Sequence, residues 1–239
     1  MLDFKTKPII AMLHMKSGKG KNALLRMQIE TDIYIKNGVD AVLVENYFGD
    51  MKDCEQGLAW LQKNRPDVCY GVNILGRYEH AFYLADQYDA DFIQIDSVCG
   101  NLRPKQDAVY EEELNYMREK YPHIQVLGGV RFKYQPLRSG RTLKEDLEIS
   151  RKRCTAVVTT GDGTGIMTPT EKLIEFRELL GDFPLVVGAG VTDKNVEEQL
   201  QYADAVIIGS WLKENHMAGN DVSEEYVQRF MQQVKKCRP

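Results

Sequence analysis

The stretch Pro184–Lys213, PLVVGAGVTDKNVEEQLQYADAVIIGSWLK, holds one full repeat of the pattern that runs through this chain. Two short β-branched runs, PLVVGAG (184–190) and DAVIIGS (204–210), each reach a glycine, and a helical segment, KNVEEQL (194–200), lies between them. Apolar runs without polar alternation are the mark of strands buried on both faces, as in parallel sheets. Asp193 stands where it would cap the helix. Working outward, six more runs of the same kind precede this unit: 8–14, 40–46, 68–75, 91–96, 124–132 and 155–161. Amphipathic stretches separate them at 22–37, 109–121 and 169–180, and a last one spans 223–236 from Ser223. Thr168 is the expected N-cap of the 169–180 helix, with Pro169 in its first position.

Eight strand–helix alternations in 239 residues match a (β/α)8 TIM barrel, whose usual length is roughly 250 residues. A doubly wound open sheet is the alternative that the same alternation allows. No composition break or low-complexity linker divides the chain, so one domain, 1–239, is expected. The longest loops are predicted after strand four (97–108) and strand five (133–141).

Composition narrows the function classes. The net charge is −4, which gives no nucleic-acid footprint. No apolar run approaches the roughly 20 residues of a membrane span, and the N-terminal apolar run is too short for a signal peptide. Five cysteines without a CxxC pair point to reduced thiols, not to structural zinc. A cytoplasmic protein without nucleic-acid or membrane partners is expected.

In a barrel the chemistry sits where strands end, and period-two alternation sorts inward from outward side chains. Gln94 and Asp96 share the inward face of their strand against Ile93 and Ile95, and Glu45 shares one with Leu43. By the same parity Asn73 points inward, and Arg131 and Lys133 oppose Val130 and Phe132. With His14 and Thr160 these form a polar ring, and inward charges need partners or ligands. The basic loops KSGKGK (16–21), NLRPK (101–105) and KYQPLRSGR (133–141) would gather anions at the mouth.

The glycine-bearing ends of the last two strands supply the anchor. Loops after strands seven and eight, with a short extra helix, often bind phosphate in barrels, and glycine lets an anion approach the main chain closely. Gly188, Ala189, Gly190, Gly209 and Ser210 are the candidate phosphate site, and SWLKEN (210–215) is the candidate short helix. TTGDGTG (159–165) is neither a Walker A motif nor a dinucleotide fingerprint. Its Asp162 and Thr164 either contact substrate or cap the loop. Acidic residues near His14 are suitable ligands for a divalent ion, but no HxH or HExxH pattern supports one, so no metal or cofactor is assigned.

The segments IIAMLHM, GVDAVLVENYFGD, ADFIQID, VVTTGDGTG and VVGAGVTDKNVEEQLQYADAVIIGSWLK resemble the BtpA/SgcQ family in order and spacing. That resemblance covers nearly the whole chain and implies a TIM barrel of phosphate-binding type. It matches His14, Glu45, Asn46, Asp50, Thr164, Gly188, Gly190, Asn195, Gly209, Ser210 and Lys213 to family positions. The chain departs from the family pattern after the first-strand histidine, where MKSGKGKN replaces a proline-rich PLPG segment. It departs again at RFKYQP, which keeps Lys133 but lacks the family's histidine, and it has no DAPF after the second strand.

The combined expectation is an enzyme acting on a small phosphorylated metabolite such as a sugar phosphate, by isomerase, epimerase or aldolase-type lyase chemistry. Glu45 or Asp96 would be acid or base, Lys133 an electrophile, a Schiff-base lysine or a salt-bridge partner, and His14 a proton shuttle. Asn46, Asn73, Arg131, Thr160, Asp162 and Thr164 would contact substrate. A non-catalytic assembly factor of the BtpA type and a hydrolase using two carboxylates are the alternatives. Pairing into a homo-oligomer through Trp60 or the tyrosine-rich helices is a further expectation.

Overall fold

Each apolar run becomes a strand because both of its faces find cover: one inside a closed sheet, the other under helices. The computed structural model describes residues 1–238. The strands are β1 (Ile9–Leu13), β2 (Ala41–Glu45), β3 (Cys69–Asn73), β4 (Phe92–Ile95), β5 (Gln125–Gly129), β6 (Ala156–Thr159), β7 (Leu185–Gly188) and β8 (Ala205–Ile208). They pair in sequence order, all parallel, and β8 closes on β1 through Ala11 opposite Ile208. This is the (β/α)8 barrel, and the open-sheet alternative falls with the closure.

The helices are α1 (Ala23–Lys36), α2 (Met51–Asn64), α3 (Tyr78–Gln87), α4 (Pro104–Lys120), α5 (Leu143–Arg153), α6 (Thr170–Leu180), α7 (Val196–Tyr202) and α8 (Glu224–Cys237). Helix α4 begins at Pro104, with the ring at the start of the helix where its missing N–H costs nothing. The segment expected as a loop over 97–108 is therefore shorter. Helices α2 and α5 open on capping boxes, Asp50 with Asp53 and Thr142 with Glu145, the second of which has the usual sequence signature. Two expected caps are corrected. Helix α6 starts at Thr170, and the Thr168 hydroxyl is buried without a hydrogen bond. Asn195, not Asp193, precedes α7; Asp193 instead accepts from the Trp211 indole at 3.1 Å and pairs with Arg229. Ser223 caps α8 as expected.

Period-two alternation divides the core in two. Val42, Val44, Ile93 and Ile95 pack outward beneath the helices. Ala41, Leu43, Phe92, Leu127, Val158, Val186 and Ile207 fill the barrel interior, the layered packing that makes such a barrel solid. Leu2 closes the N-terminal end, its N–H donating to the Gln125 side chain at 2.8 Å. Ligand access is thus confined to the opposite end. Among the described residues no helix is long and apolar enough to cross a membrane.

Candidate functional site

At the C-terminal end of the strands a cavity of about 330 Å³ opens between the loops, within the size range of small-molecule sites. Its floor is the top interior layer: Met12, Phe132, Val158 and Ile207. Above the floor the cavity is lined by His14, Glu45, Gln94, Asp96 and Lys133 and by the backbone segments Gly188–Thr192 and Ile208–Trp211.

The carboxylates are tied together. Asn73, 2% exposed, donates its amide to Glu45 at 2.9 Å and to Asp96 at 3.1 Å; Gln94 also donates to Asp96 at 3.1 Å. Asn73 therefore sets the orientation of both groups from behind. Burial pushes the Glu45 pKa up to about 7, and the neighbouring Asp96 charge adds to the rise, while Lys133 opposes it. Glu45 can thus hold or release a proton near neutral pH. His14 is nearly buried, with Nε2 3.7 Å from Glu45. Burial and the Lys213 charge hold its pKa well below the usual imidazole range, so the ring is neutral. Tyr47 covers the ring at a centroid distance of 5.1 Å.

The loops after β7 and β8 line the rest of the cavity with main chain. Ala189 and Gly190 adopt φ of +101° and +67°. The N–H groups of Ala189, Gly190, Gly209 and Ser210 donate to no loop, turn or cap carbonyl among the described residues. Two glycines here also answer steric demands. A Cβ on Gly190 would lie 2.3 Å from the backbone of Ile166, and one on Gly209 would lie 3.1 Å from Cε1 of His14. Packing and cavity lining coexist at the same residues. Ser210–Leu212 form a single 3-10 turn rather than a longer helix.

The remaining candidates scatter. Thr164 lines the cavity, its N–H donating to the Tyr134 hydroxyl at 2.9 Å and its Oγ1 3.4 Å from the Tyr47 hydroxyl. Asn46 accepts from the Leu75 N–H at 2.8 Å, joining the β2 and β3 loops. Thr160 is buried and accepts from the Lys133 N–H at 2.7 Å, which fixes the start of the β5 loop. Asp162 is exposed and lies off the cavity wall, in the field of Lys172.

Arg131 is not where alternation predicts. Strand β5 ends at Gly129, and Arg131 turns into the left-handed region at φ +50°. The turn reverses the parity: Phe132 enters the barrel, and Arg131 leaves it to pair with Asp146 at 2.6 Å. The expected basic rim is also neutralised in part. Lys19 and Lys21 pair with Asp221, Lys19 also with Glu214, and Arg141 with Asp107 and Asp146. Lys133 keeps its place on the cavity wall.

Lys213 lay outside the ring assembled from strand ends, although the family resemblance marked it. It is 1% exposed and sits behind His14. Its place in the SWLK segment, just after β8, was the available signal. Among the described residues no cluster of three or more His, Cys, Asp or Glu side chains has the arrangement of a metal site.

Comparison with known proteins places these residues in context. The BtpA family model matches residues 58–236. An uncharacterized protein of Thermococcus kodakarensis is 29% identical across 99% of this chain and 98% of its own. The SgcQ protein of Escherichia coli, a putative sgc region protein, is 25% identical across 97% and 96%. The photosystem I biogenesis protein BtpA of Synechocystis is 23% identical across 94% and 87%. Among solved structures, phosphoribosyl anthranilate isomerase from Thermus thermophilus superposes with a TM-score of 0.63 at 14% identity, covering 97% of this chain and all of that one. The native KDPGal structure gives 0.64 at 12% identity, covering 96% and 95%. At these identities the structural likeness establishes the fold.

Proposed function

The chain belongs to the BtpA family, and from that premise we propose that it is an enzyme acting on a small phosphorylated metabolite, a sugar phosphate in the leading reading. The observation that carries this is one cavity lined both by the glycine-bearing backbone after β7 and β8 and by a carboxyl with pKa about 7 beside a second carboxylate. Main-chain amides suit a phosphate, which offers several strong acceptors. The carboxyl pair suits proton transfer next to a carbonyl, the step shared by isomerisation, epimerisation and aldol cleavage.

In this reading Glu45 takes the proton from carbon, or returns it, because its pKa lies near the working pH. Asp96 stays close enough to keep that pKa high. Lys133 offers an ammonium to the oxygen on which negative charge develops. Asn73 holds the two carboxylates in register. The name of the phosphoribosyl isomerase that shares the fold agrees with a phosphorylated substrate.

The test has two stages. Thermal unfolding is followed with inorganic phosphate, ribose 5-phosphate and ribose, against chloride at equal ionic strength. Phosphate and the phosphate ester raise Tm, and ribose does not, because only a ligand that selects the native state stabilises it. Stabilising esters are then incubated in D2O, and loss of the C–H signal beside the carbonyl is followed by NMR. Glu45→Gln slows that exchange by about 10²- to 10⁴-fold. Equal Tm in phosphate and chloride overturns the phosphate site, and unchanged exchange in Glu45→Gln overturns the role of that residue.

A further inference from the structure

Behind the cavity lies a set of buried charges that the proposed chemistry leaves unexplained. Arg26 and Glu30, one turn apart on α1, are 5% and 4% exposed and meet at 3.1 Å. Arg26 also donates to the Gly219 carbonyl at 3.2 Å and pairs with Asp221 at 3.0 Å. Glu30 faces Lys213, whose Nζ lies 3.8 Å away. The far side of that ammonium meets Nδ1 of His14 at 3.3 Å. Burying charges is costly unless each finds a partner, and this row ends on the ring that lines the cavity.

The two neighbours of Nδ1 ask for opposite things. The Ala218 carbonyl, 3.3 Å away, accepts a hydrogen bond and so calls for Nδ1–H. The Lys213 ammonium has donors only and calls for a lone pair at the same atom. Two N–H groups cannot face each other in a buried site. A charge-assisted bond is the stronger of the two, more so where water is excluded. The carbonyl therefore yields, and the ring proton goes to Nε2, the nitrogen that looks toward Glu45.

We propose that Lys213 is a positioning residue: anchored by Glu30, its ammonium keeps Nδ1 of His14 as an acceptor and so presents Nε2–H to the cavity. A neutral imidazole held this way donates to a substrate oxygen as negative charge builds on it, and it does not start as a base. This replaces proton shuttling as the role of His14 and leaves the carboxyl pair to move protons. Its application to a substrate oxygen rests on the function proposed above; the tautomer itself does not.

The test is long-range ¹H–¹⁵N NMR of the imidazoles in the ligand-free protein at neutral pH. Only four histidines need be distinguished, and His14→Gln identifies the signal. The expected result is the Nε2–H tautomer in the wild type, with a switch to Nδ1–H, bonded to the Ala218 carbonyl, in Lys213→Met. A wild-type Nδ1–H tautomer overturns the proposal, as does an unchanged tautomer in a folded Lys213→Met. If that variant does not fold, the wild-type spectrum decides alone. Failure of the phosphate site would appear as an absent Tm shift in the separate phosphate titration and would leave the tautomer result standing.

Discussion

At the end of β2, Glu45 gives up the hydration of a free carboxylate for the Asn73 amide and a second carboxyl group beside it. The native state therefore binds its proton more tightly than the unfolded chain, where the ordinary value of 4.5 applies. Between about pH 4.5 and about pH 7 the unfolded chain releases that proton first. Stability contributed by Glu45 is thus complete below pH 4.5 and is lost as pH rises toward 7, by about 3 kcal/mol for the group acting alone. Denaturant unfolding at a series of pH values checks this. The wild type should lose stability relative to Glu45→Gln across that window, and parallel curves would refute the shift. Glu45 and Asp96 were legible in sequence because alternation along a strand is a local property. Arg131 was not, because a single left-handed residue after Gly129 reverses that alternation.

The elements meet most closely where the loop after β6 crosses the end of β7. Gly190 lies beneath the Ile166–Met167 backbone, with 2.3 Å between the place of a Cβ and that main chain. Backbone cannot step aside as a flexible side chain can, and φ of +67° adds strain for any residue with a Cβ. Gly190→Ala should therefore displace the loop that carries Thr164. Inorganic phosphate binding should weaken at least about tenfold, the equivalent of about 1.4 kcal/mol, while far-UV circular dichroism stays that of the wild type. Calorimetric titration measures the first and a spectrum the second; undiminished phosphate affinity would separate the glycine from ligand binding. From sequence this glycine reads as an anion contact, with packing as the alternative. The structure adds the packing role, since the same residue meets the Ile166–Met167 backbone and also lines the cavity.

On the scale of the whole molecule, closure of β8 on β1 removes every sheet edge and joins all the elements to the two faces of one sheet. The cysteines report on this. Cys54, Cys99 and Cys154 are buried and unpaired, whereas Cys69 and Cys237 are half-buried. Burial raises the Cys69 and Cys154 thiols to about 12, so little thiolate exists at neutral pH. A thiol-specific chromogenic reagent should label Cys54, Cys99 and Cys154 together and only at the rate of global unfolding, and all five thiols should react in denaturant. Separate fast labelling of any one of those three in the native protein would mean that the barrel opens locally.

The sequence by itself determined the eight strands, their parallel order and the inward placement of Glu45, Asn73, Gln94 and Asp96. These follow from hydrophobic period and from the twofold repeat of a strand, both of which act between near neighbours. It also singled out the glycine-bearing ends of β7 and β8. Only the tertiary structure decided which charges are spent on one another. Arg131 and Arg141 are taken by Asp146, and Lys19 by Asp221, whereas Lys213 is drawn under His14. The physical reason is that ion pairing depends on distance in space between residues far apart in the chain: His14 and Lys213 are 199 positions apart and 3.3 Å from contact to contact.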